Sequence, residues 1–304
     1  MSENPVNAYL RTVAAPKRTP VKTSVPKKAP AKRRATAKKK AERNWAGYVA
    51  LAGLLLVLLS PFYYGYVIKT FSATWRWMRD IGQDPNYRSY KSFGIKIPTA
   101  YHIHGIDVSY AQGKIDWQKV RSMEEDSVRI RFAFVKATEG LLGVDPYFKR
   151  NWREAPKVSI TCGAYHYFHP NKNGLWQARF FLQNAKMEPG DLPPVVDVEV
   201  MDKVSPQKMR KELTAYLKHV EKKVGVKPII YTGLSFYTDY LAGHFDEYPL
   251  WIAHYYKSNL KVHKKTNWWF WQHSDIARVN GINHAVDFDA FKGDSLDFEK
   301  LLIR

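Results

Sequence analysis

Cysteine is almost missing from this chain of 304 residues, which contains only Cys162. A single cysteine excludes a disulfide within the chain and a metal site built on cysteine pairs. Because Cys162 lies in the apolar stretch 160–164, we expect it to be a small core residue rather than a nucleophile. The histidines near apolar runs also lack the spacing of familiar ligand sets. We therefore predict neither a metal nor a cofactor.

Acidic residues are scarce as well, since 28 Asp and Glu stand against 48 Lys and Arg and the formal net charge is +20. Residues 1–44 hold 13 of the basic residues, two acids and five prolines. Such a segment buries too little apolar surface to offset its ordering entropy, so we predict a disordered basic tail. A basic tail alone would also fit nucleic-acid binding.

Charge is absent altogether from residues 45–68. An apolar span of about 20 residues crosses a bilayer as a helix, so we predict a transmembrane anchor there. The positive-inside rule places the tail in the cytoplasm and the later residues in the periplasm or outside the cell. A cleaved signal peptide and a buried core helix are the alternatives, and the long charged leader disfavours the first. This orientation separates the tail from the folded domain and argues against a nucleic-acid partner.

The remaining residues divide into a predicted connector over 69–100 and a folded domain over 101–304. Helices fit between the early strands, most clearly at 205–225, where Ser205 and Gly225 suit the two ends. Shorter helices are predicted at 176–186 and 235–242. Short apolar runs predict eight strands, at 103–109, 131–137, 160–168, 193–199, 227–232, 250–255, 268–273 and 285–289. The pattern predicts an α/β fold, a modified TIM-type barrel preceded by one transmembrane helix.

Carboxylates end three of these runs, where a β/α barrel builds its active site. Asp107 lies on the first strand, Asp197 and Glu199 end the fourth, and Asp287 lies on the eighth. Asp197 and Glu199 are two residues apart and face the same side, with Cβ atoms ~6.6 Å apart. Close acids shielded from water raise at least one pKa, which leaves a protonated acid near neutral pH. Such an acid is one half of glycoside hydrolysis.

Aromatic side chains near the strand ends are the second signal. Flat aromatic surfaces pack well on the C–H faces of sugar rings, although each aromatic residue alone is more typical of a core. The residues that we predict to bind substrate in this way are Tyr165, Tyr167, Tyr231, Trp251 and Trp271.

An ordered series of segments resembles glycoside hydrolase family 25, the muramidases related to the Chalaropsis-type lysozymes. The segments are GIDVS at 105–109, FVKATEG at 134–140, GAYHYF at 163–168, PVVDVE at 194–199, YPLWIA at 248–253, WQHS at 271–274 and VDFD at 286–289. The resemblance covers residues 101–298 and implies a (β/α)5β3 barrel. It also implies cleavage of the β-1,4 bond from N-acetylmuramic acid to N-acetylglucosamine. Two departures are that the family often has Asn where Asp289 stands and Tyr where His273 stands.

The same resemblance implies roles for the four acids. Glu199 matches the general acid, Asp197 its paired carboxylate, and Asp107 and Asp287 two further acids at the barrel mouth. Two carboxylates on one strand leave little room for a water between them. The arrangement therefore resembles substrate-assisted hydrolysis, in which the 2-acetamido group is the nucleophile. An inverting reaction with Asp107 or Asp287 as the base is the alternative.

Peptidoglycan glycan strands are the predicted partner of a monomeric enzyme in the bacterial inner (cytoplasmic) membrane. A chitinase-like hydrolase of N-acetylglucosamine polymers would use the same acids, and a non-catalytic cell-wall-binding module would keep the aromatic residues. The presence of all four acids argues against the non-catalytic module.

Overall fold

The computed structural model describes residues 45–58 and 84–304. The first range is helix α1, Trp45–Leu58, with 14 residues. No helix in the described ranges combines the length and apolar character needed to cross a membrane. The predicted single-pass anchor over 45–68 and the inner-membrane localisation are therefore wrong, while residues 59–68 and the predicted tail over 1–44 lie outside the described residues.

Strands are present at all eight predicted positions, together with four that were not predicted. In chain order they are β1 Tyr87–Tyr90, β2 Ile95–Pro98, β3 Ile103–Val108, β4 Glu124–Glu125, β5 Val128–Glu139, β6 Gly143–Val144, β7 Thr161–Tyr167, β8 Val195–Asp197, β9 Ile229–Gly233, β10 Leu250–Ala253, β11 Trp268–Ala277 and β12 Val286–Phe291. The predicted strands correspond to β3, β5 and β7 to β12.

These eight strands close into a barrel within residues 84–304. Strands β3, β5, β7, β8, β9, β10 and β11 follow one another as parallel neighbours. Strand β12 is antiparallel to both β11 and β3 and closes the sheet. The prediction of a TIM-like α/β barrel is confirmed.

Side chains alternate between the two faces of each strand, so one apolar layer lies inside the barrel and another lies outside it. Inside the barrel, Phe132, Phe134 and Phe270 belong to one cluster, which Phe298 of the last helix also joins. Outside, side chains such as Ile106 pack between the sheet and the helices. Cys162 belongs to this outer layer, as expected of a small core residue.

Helices cover the outside of the barrel. The clearest sequence prediction is confirmed, because Ser205 caps the long helix by accepting from Lys208 N and Gly225 ends it in a left-handed conformation. The predicted helix at 235–242 is instead a short turn, Leu234–Phe236, followed by a π-helix, Tyr237–Leu241. The other helices are α2 Trp117–Ser122, α3 Phe148–Glu154, α4 Gly174–Asn184, α5 Pro206–Val224 and α6 Ser295–Leu301, with 3-10 turns at Tyr110–Gln112 and Pro156–Val158.

A hairpin of β1 and β2 lies within the region predicted as a connector. Phe93, in its turn, packs edge-on against Phe288 with ring centroids 5.3 Å apart. Its carbonyl accepts a 2.8 Å hydrogen bond from Arg278 N, and Ile95 and Ile97 are buried in the outer layer. Residues 84–100 are therefore part of the barrel's core rather than a connector.

Candidate active site

The mouth of the barrel, where the parallel strands end, gathers the predicted acids. Asp107 on β3 pairs in register with Asp287 on β12, so both carboxyl groups lie at one level. Asp197 ends β8 and pairs with Tyr231 of β9. These acids face the inside of the barrel, because residues an even number of positions away on the same strand, Ile103, Val195 and Phe291, belong to the interior cluster.

Glu199 lies beyond the end of β8, at the rim. The backbone continues along β9 after Asp197, since Val198 N donates to the carbonyl of Tyr231 at 2.9 Å. The Thr232 hydroxyl donates to the Val198 carbonyl at 2.8 Å. These contacts fix the direction of the backbone after β8, so that Glu199 lies at the rim. Its side chain there is exposed. Asp197 below it is buried.

Gln272 connects the acids to two tyrosines. Its side-chain amide donates from Nε2 to Asp107 Oδ2 at 2.6 Å. Its Oε1 accepts from the hydroxyls of Tyr231 at 2.7 Å and Tyr255 at 2.6 Å. The sequence did not single out Gln272, although its polar side chain two residues after Phe270 on an apolar strand was a signal of an inward polar group.

The pKa values of the acids at the mouth are all raised. Burial, followed by the charges of Asp287 and Asp289, raises the pKa of Asp107 well above its usual range. Burial and the Glu199 charge do the same for Asp197. The pKa of Asp287 rises to about 7, mainly through burial, and partial desolvation raises that of Glu199. The mouth therefore retains protons at pH values where isolated carboxyl groups have lost them.

Asp289 is a fifth acid in this cluster, directly below Asp287 on the inner face of β12. Its side chain is completely buried, and Oδ1 accepts a 2.8 Å hydrogen bond from Trp251 Nε1. Oδ2 has no hydrogen-bond partner among the described residues. Burial and then the charge of Asp287 raise its pKa well above the usual range, while the hydrogen bond from Trp251 lowers it.

The three predicted tyrosines surround the acids. Tyr165 and Tyr231 belong to the interior cluster, and the pKa of each hydroxyl is raised first by burial and then by neighbouring carboxylates. Tyr167 is half-buried at the rim, with Lys136 Nζ 5.1 Å from its ring centroid. Burial, Asp197 and Glu199 raise the pKa of Tyr167 to about 12.

The two predicted tryptophans do not line the mouth. Trp251 is inside the barrel below the acids, stacked on Phe134 with centroids 4.4 Å apart, and is 2% exposed. Trp271 points outward, packs edge-on against Tyr101, and donates from Nε1 to the carbonyl of His254 at 2.9 Å. Both predictions of substrate contact are wrong, because neither ring presents surface to a ligand in the cleft.

A charged cluster beside the mouth was not predicted. Lys136 Nζ donates to Glu139 Oε2 at 2.7 Å. The two ring nitrogens of His169 lie 3.2 Å from Glu139 Oε1 and 2.8 Å from Asp202 Oδ2. Because Asp202 follows Glu199 by three residues, this cluster ties the loop that carries Glu199 to strand β5. Nothing in the sequence spacing links His169 to Asp202, which lie 33 residues apart.

The described part of the chain contains no group of three or more His, Cys, Asp or Glu residues arranged to hold a metal ion. The carboxyl groups at the mouth are instead arranged around tyrosine hydroxyls and Gln272. Such a site can supply a proton and can stabilise positive charge on a bound sugar.

Several known proteins are similar to this chain in sequence or in fold. The profile of glycosyl hydrolases family 25 matches residues 106–282. Uncharacterized protein YegX of Escherichia coli K12 is 45% identical over 260 residues, which cover 86% of this chain and 93% of YegX. Lysozyme M1 of Streptomyces globisporus is 32% identical over 205 residues, or 63% of this chain and 68% of that protein. The structure of a family 25 glycosyl hydrolase from Bacillus anthracis aligns with a TM-score of 0.61 and 30% identity, covering 72% of this chain and 99% of that one.

Proposed function

The chain belongs to glycosyl hydrolases family 25, and on this premise we propose that its barrel mouth hydrolyses peptidoglycan as a muramidase. The bond cleaved is the β-1,4 bond between N-acetylmuramic acid and N-acetylglucosamine. The observation that carries the proposal is the pairing of an exposed acid, Glu199, with a buried one, Asp197, at the mouth of the barrel. Lysozymes are among its relatives. Five strand–helix units followed by three strands support the finer (β/α)5β3 description.

Glu199 is the proposed general acid. Its exposed side chain can reach a glycosidic oxygen, and partial burial raises its pKa, which favours the protonated form that a general acid requires. After burial, the charge of Glu199 raises the pKa of Asp197, so the pair opposes ionisation of both carboxyl groups. Protonation of the leaving oxygen then breaks the glycosidic bond.

Asp197 is the proposed partner of the substrate's 2-acetamido group. Its Oδ1 is buried and has no hydrogen-bond partner among the described residues, so it is available to accept the acetamido N–H. The acetamido oxygen would then attack the anomeric carbon as the leaving group departs, and water would open the resulting oxazolinium ring and return a proton to the Glu199 carboxylate. The other acids of the mouth, Asp107 and Asp287, stabilise the positive charge that develops on the sugar ring.

Product analysis tests the function. Purified peptidoglycan is digested with the full-length protein, and the fragments are identified by mass spectrometry after reduction. New reducing ends on N-acetylmuramic acid are expected. Reducing ends on N-acetylglucosamine would contradict the proposed bond, and turnover of chitin without turnover of peptidoglycan would identify a chitinase-like enzyme.

A further inference from the structure

A groove between helices α4 and α5, on the side of the barrel, has a volume of about 560 Å³. Three cationic side chains and three apolar ones dominate its lining: Arg179, Lys186 and Lys223, and Leu182, Met187 and Val224. None of the described residues that line it is acidic. The groove therefore combines positive charge with an apolar surface.

The positive charge of the groove is not neutralised within the described part of the chain. Arg179, Lys186 and Lys223 take part in none of the ion pairs formed there. The positive charge of the groove also acts on His219, which lines it. The pKa of His219 is lowered by burial and then by the charges of Arg179 and Lys223. Like charges held together in a concave site favour the binding of an anion.

An aromatic platform continues the groove toward the barrel mouth. Helix α4 follows β7, whose carboxyl end is at the mouth, so its first turn lies at the mouth end of the groove. Trp176 in that turn is 58% exposed. The Arg179 guanidinium lies 4.8 Å from its ring centroid. Trp176 and Arg179 are three residues apart and share one side of the helix, and Lys186 follows shortly after the helix ends at Asn184.

Charge also argues against an occupant from the same chain. Residues 1–44 carry 13 basic and two acidic residues, and residues 59–83 carry three basic and one acidic residue. Both segments have the same sign of charge as the groove. An external anionic partner is therefore the better complement.

We propose that the groove binds the peptide stems of peptidoglycan, while the mouth holds the glycan strand. The free carboxylates of a stem match the three cations, and the methyl groups of its alanines match the apolar floor. An exposed tryptophan at the mouth end is suited to a sugar ring of the same strand. The proposal rests on the proposed muramidase function, because it takes the substrate to be peptidoglycan.

Binding to two forms of the wall polymer tests the groove. The probes are peptidoglycan sacculi coupled through their glycan strands to beads, either intact or after an amidase has removed the peptide stems, in a brief pelleting assay on ice. The groove variant is Arg179→Glu/Lys186→Glu/Lys223→Glu. The control, which has the same change of net charge, is Lys91→Glu/Lys96→Glu/Lys264→Glu. For intact sacculi, we expect the groove variant to bind on the order of tenfold more weakly and the control to bind as the native protein does.

The native protein should also lose affinity on the stripped sacculi, and there the groove variant should bind as the native protein does. Equal binding of groove and control variants to intact sacculi, or undiminished binding of native protein to stripped sacculi, would overturn the proposal. A milder variant, Arg179→Gln/Lys223→Gln, guards against misfolding and should show an intermediate loss. Turnover of a soluble stem-free glycan oligosaccharide should be the same in native and groove variants. Absence of new reducing ends when the native protein digests intact peptidoglycan would refute the muramidase function separately from the groove.

Discussion

Asp197 and Glu199 differ in their contact with water, and we propose that this difference separates their roles. A proton donor must reach the glycosidic oxygen, and the exposed Glu199 side chain can do so. Asp197 is buried below it, with one oxygen unbonded among the described residues. A buried acceptor of this kind is suited to hold a substrate N–H in a fixed orientation. In the proposed mechanism, the two acids serve different steps because Glu199, beyond the end of β8, lies nearer the rim than Asp197.

Replacing Glu199 by Gln removes the transferable proton and leaves the shape of the side chain nearly unchanged. Turnover of peptidoglycan should therefore fall by a factor on the order of 10² to 10⁴. Binding to sacculi should persist, because the tyrosines at the mouth are unaltered. The measurement is the release of reducing ends, with Glu299→Gln on the far side of the barrel as the control. Near-native turnover of Glu199→Gln would show that another residue is the acid.

Asp289→Asn should stabilise the protein at neutral pH but not at low pH. The pKa of this buried acid is raised in the folded state, so folding favours its protonated form. Stability is then lost as pH rises above the unfolded value of about 4. An amide carries no charge at any of these pH values, so the variant escapes this loss.

The predicted difference in unfolding free energy between Asp289→Asn and the native protein is small near pH 4 and on the order of 1 kcal/mol or more near pH 8. Urea denaturation at both pH values measures it. The exposed Asp239→Asn is the control and should give no such pH-dependent difference. A gain of the same size at both pH values would contradict a titration effect at Asp289.

At the scale of elements, the loop after β8 determines where the proposed acid points. Asp202 and Lys203 in this loop have φ of 45° and 60°, in the left-handed region that costs energy for residues other than glycine. The His169 ring holds Asp202 from one nitrogen and Glu139 from the other. This pair of contacts stabilises the strained loop conformation and, with it, the position of Glu199.

His169→Ala should therefore lower kcat on peptidoglycan by about tenfold with little change in KM, because a displaced acid impairs proton transfer more than binding. His169→Asn can still donate one hydrogen bond to Asp202 and should recover part of the loss. The exposed His102→Ala is the control. A change confined to KM, or no rescue by asparagine, would contradict a positioning role.

The barrel strands could be predicted because each is a short apolar run that ends in polar residues, as at Asp107 and Asp197. The side of the sheet that each residue faces was harder to predict. Strand β11 reads WWFWQHS, and its uniform aromatic character hides the alternation that turns Trp271 outward and Gln272 inward. The hydrogen bond between His169 and Asp202 could not be predicted from the sequence, because it depends on how two loops approach each other in the folded protein.

The whole molecule combines an acidic mouth with a basic surface. Asp107, Asp197, Glu199 and Asp287 concentrate acidic groups with raised pKa values where the sugar becomes positively charged, although the chain as a whole carries a net charge of +20. A basic protein is attracted over long distances to an anionic polymer. The net positive charge of the protein thus acts at long range, on its encounter with the wall. The acids of the mouth act at short range, on the reacting sugar.

The barrel domain should fold and act without the N-terminal residues. Residues 84–304 contain the complete closed sheet and both apolar layers. A chain shortened to residues 80–304 should therefore retain full turnover of peptidoglycan and the melting temperature of the barrel.

A chain shortened further, to residues 101–304, provides the contrast. It lacks the β1–β2 hairpin and leaves the surface of Phe288 without Phe93, Ile95 and Ile97, which are buried in the native protein. Burying side chains of this size contributes about 1.5–3 kcal/mol each, so this chain should melt at a clearly lower temperature and aggregate more readily. Thermal melts followed by circular dichroism, with turnover of peptidoglycan measured in parallel, compare the two. Equal melting temperatures would show that the hairpin does not stabilise the barrel, and an inactive but folded 80–304 chain would show that catalysis requires the N-terminal residues.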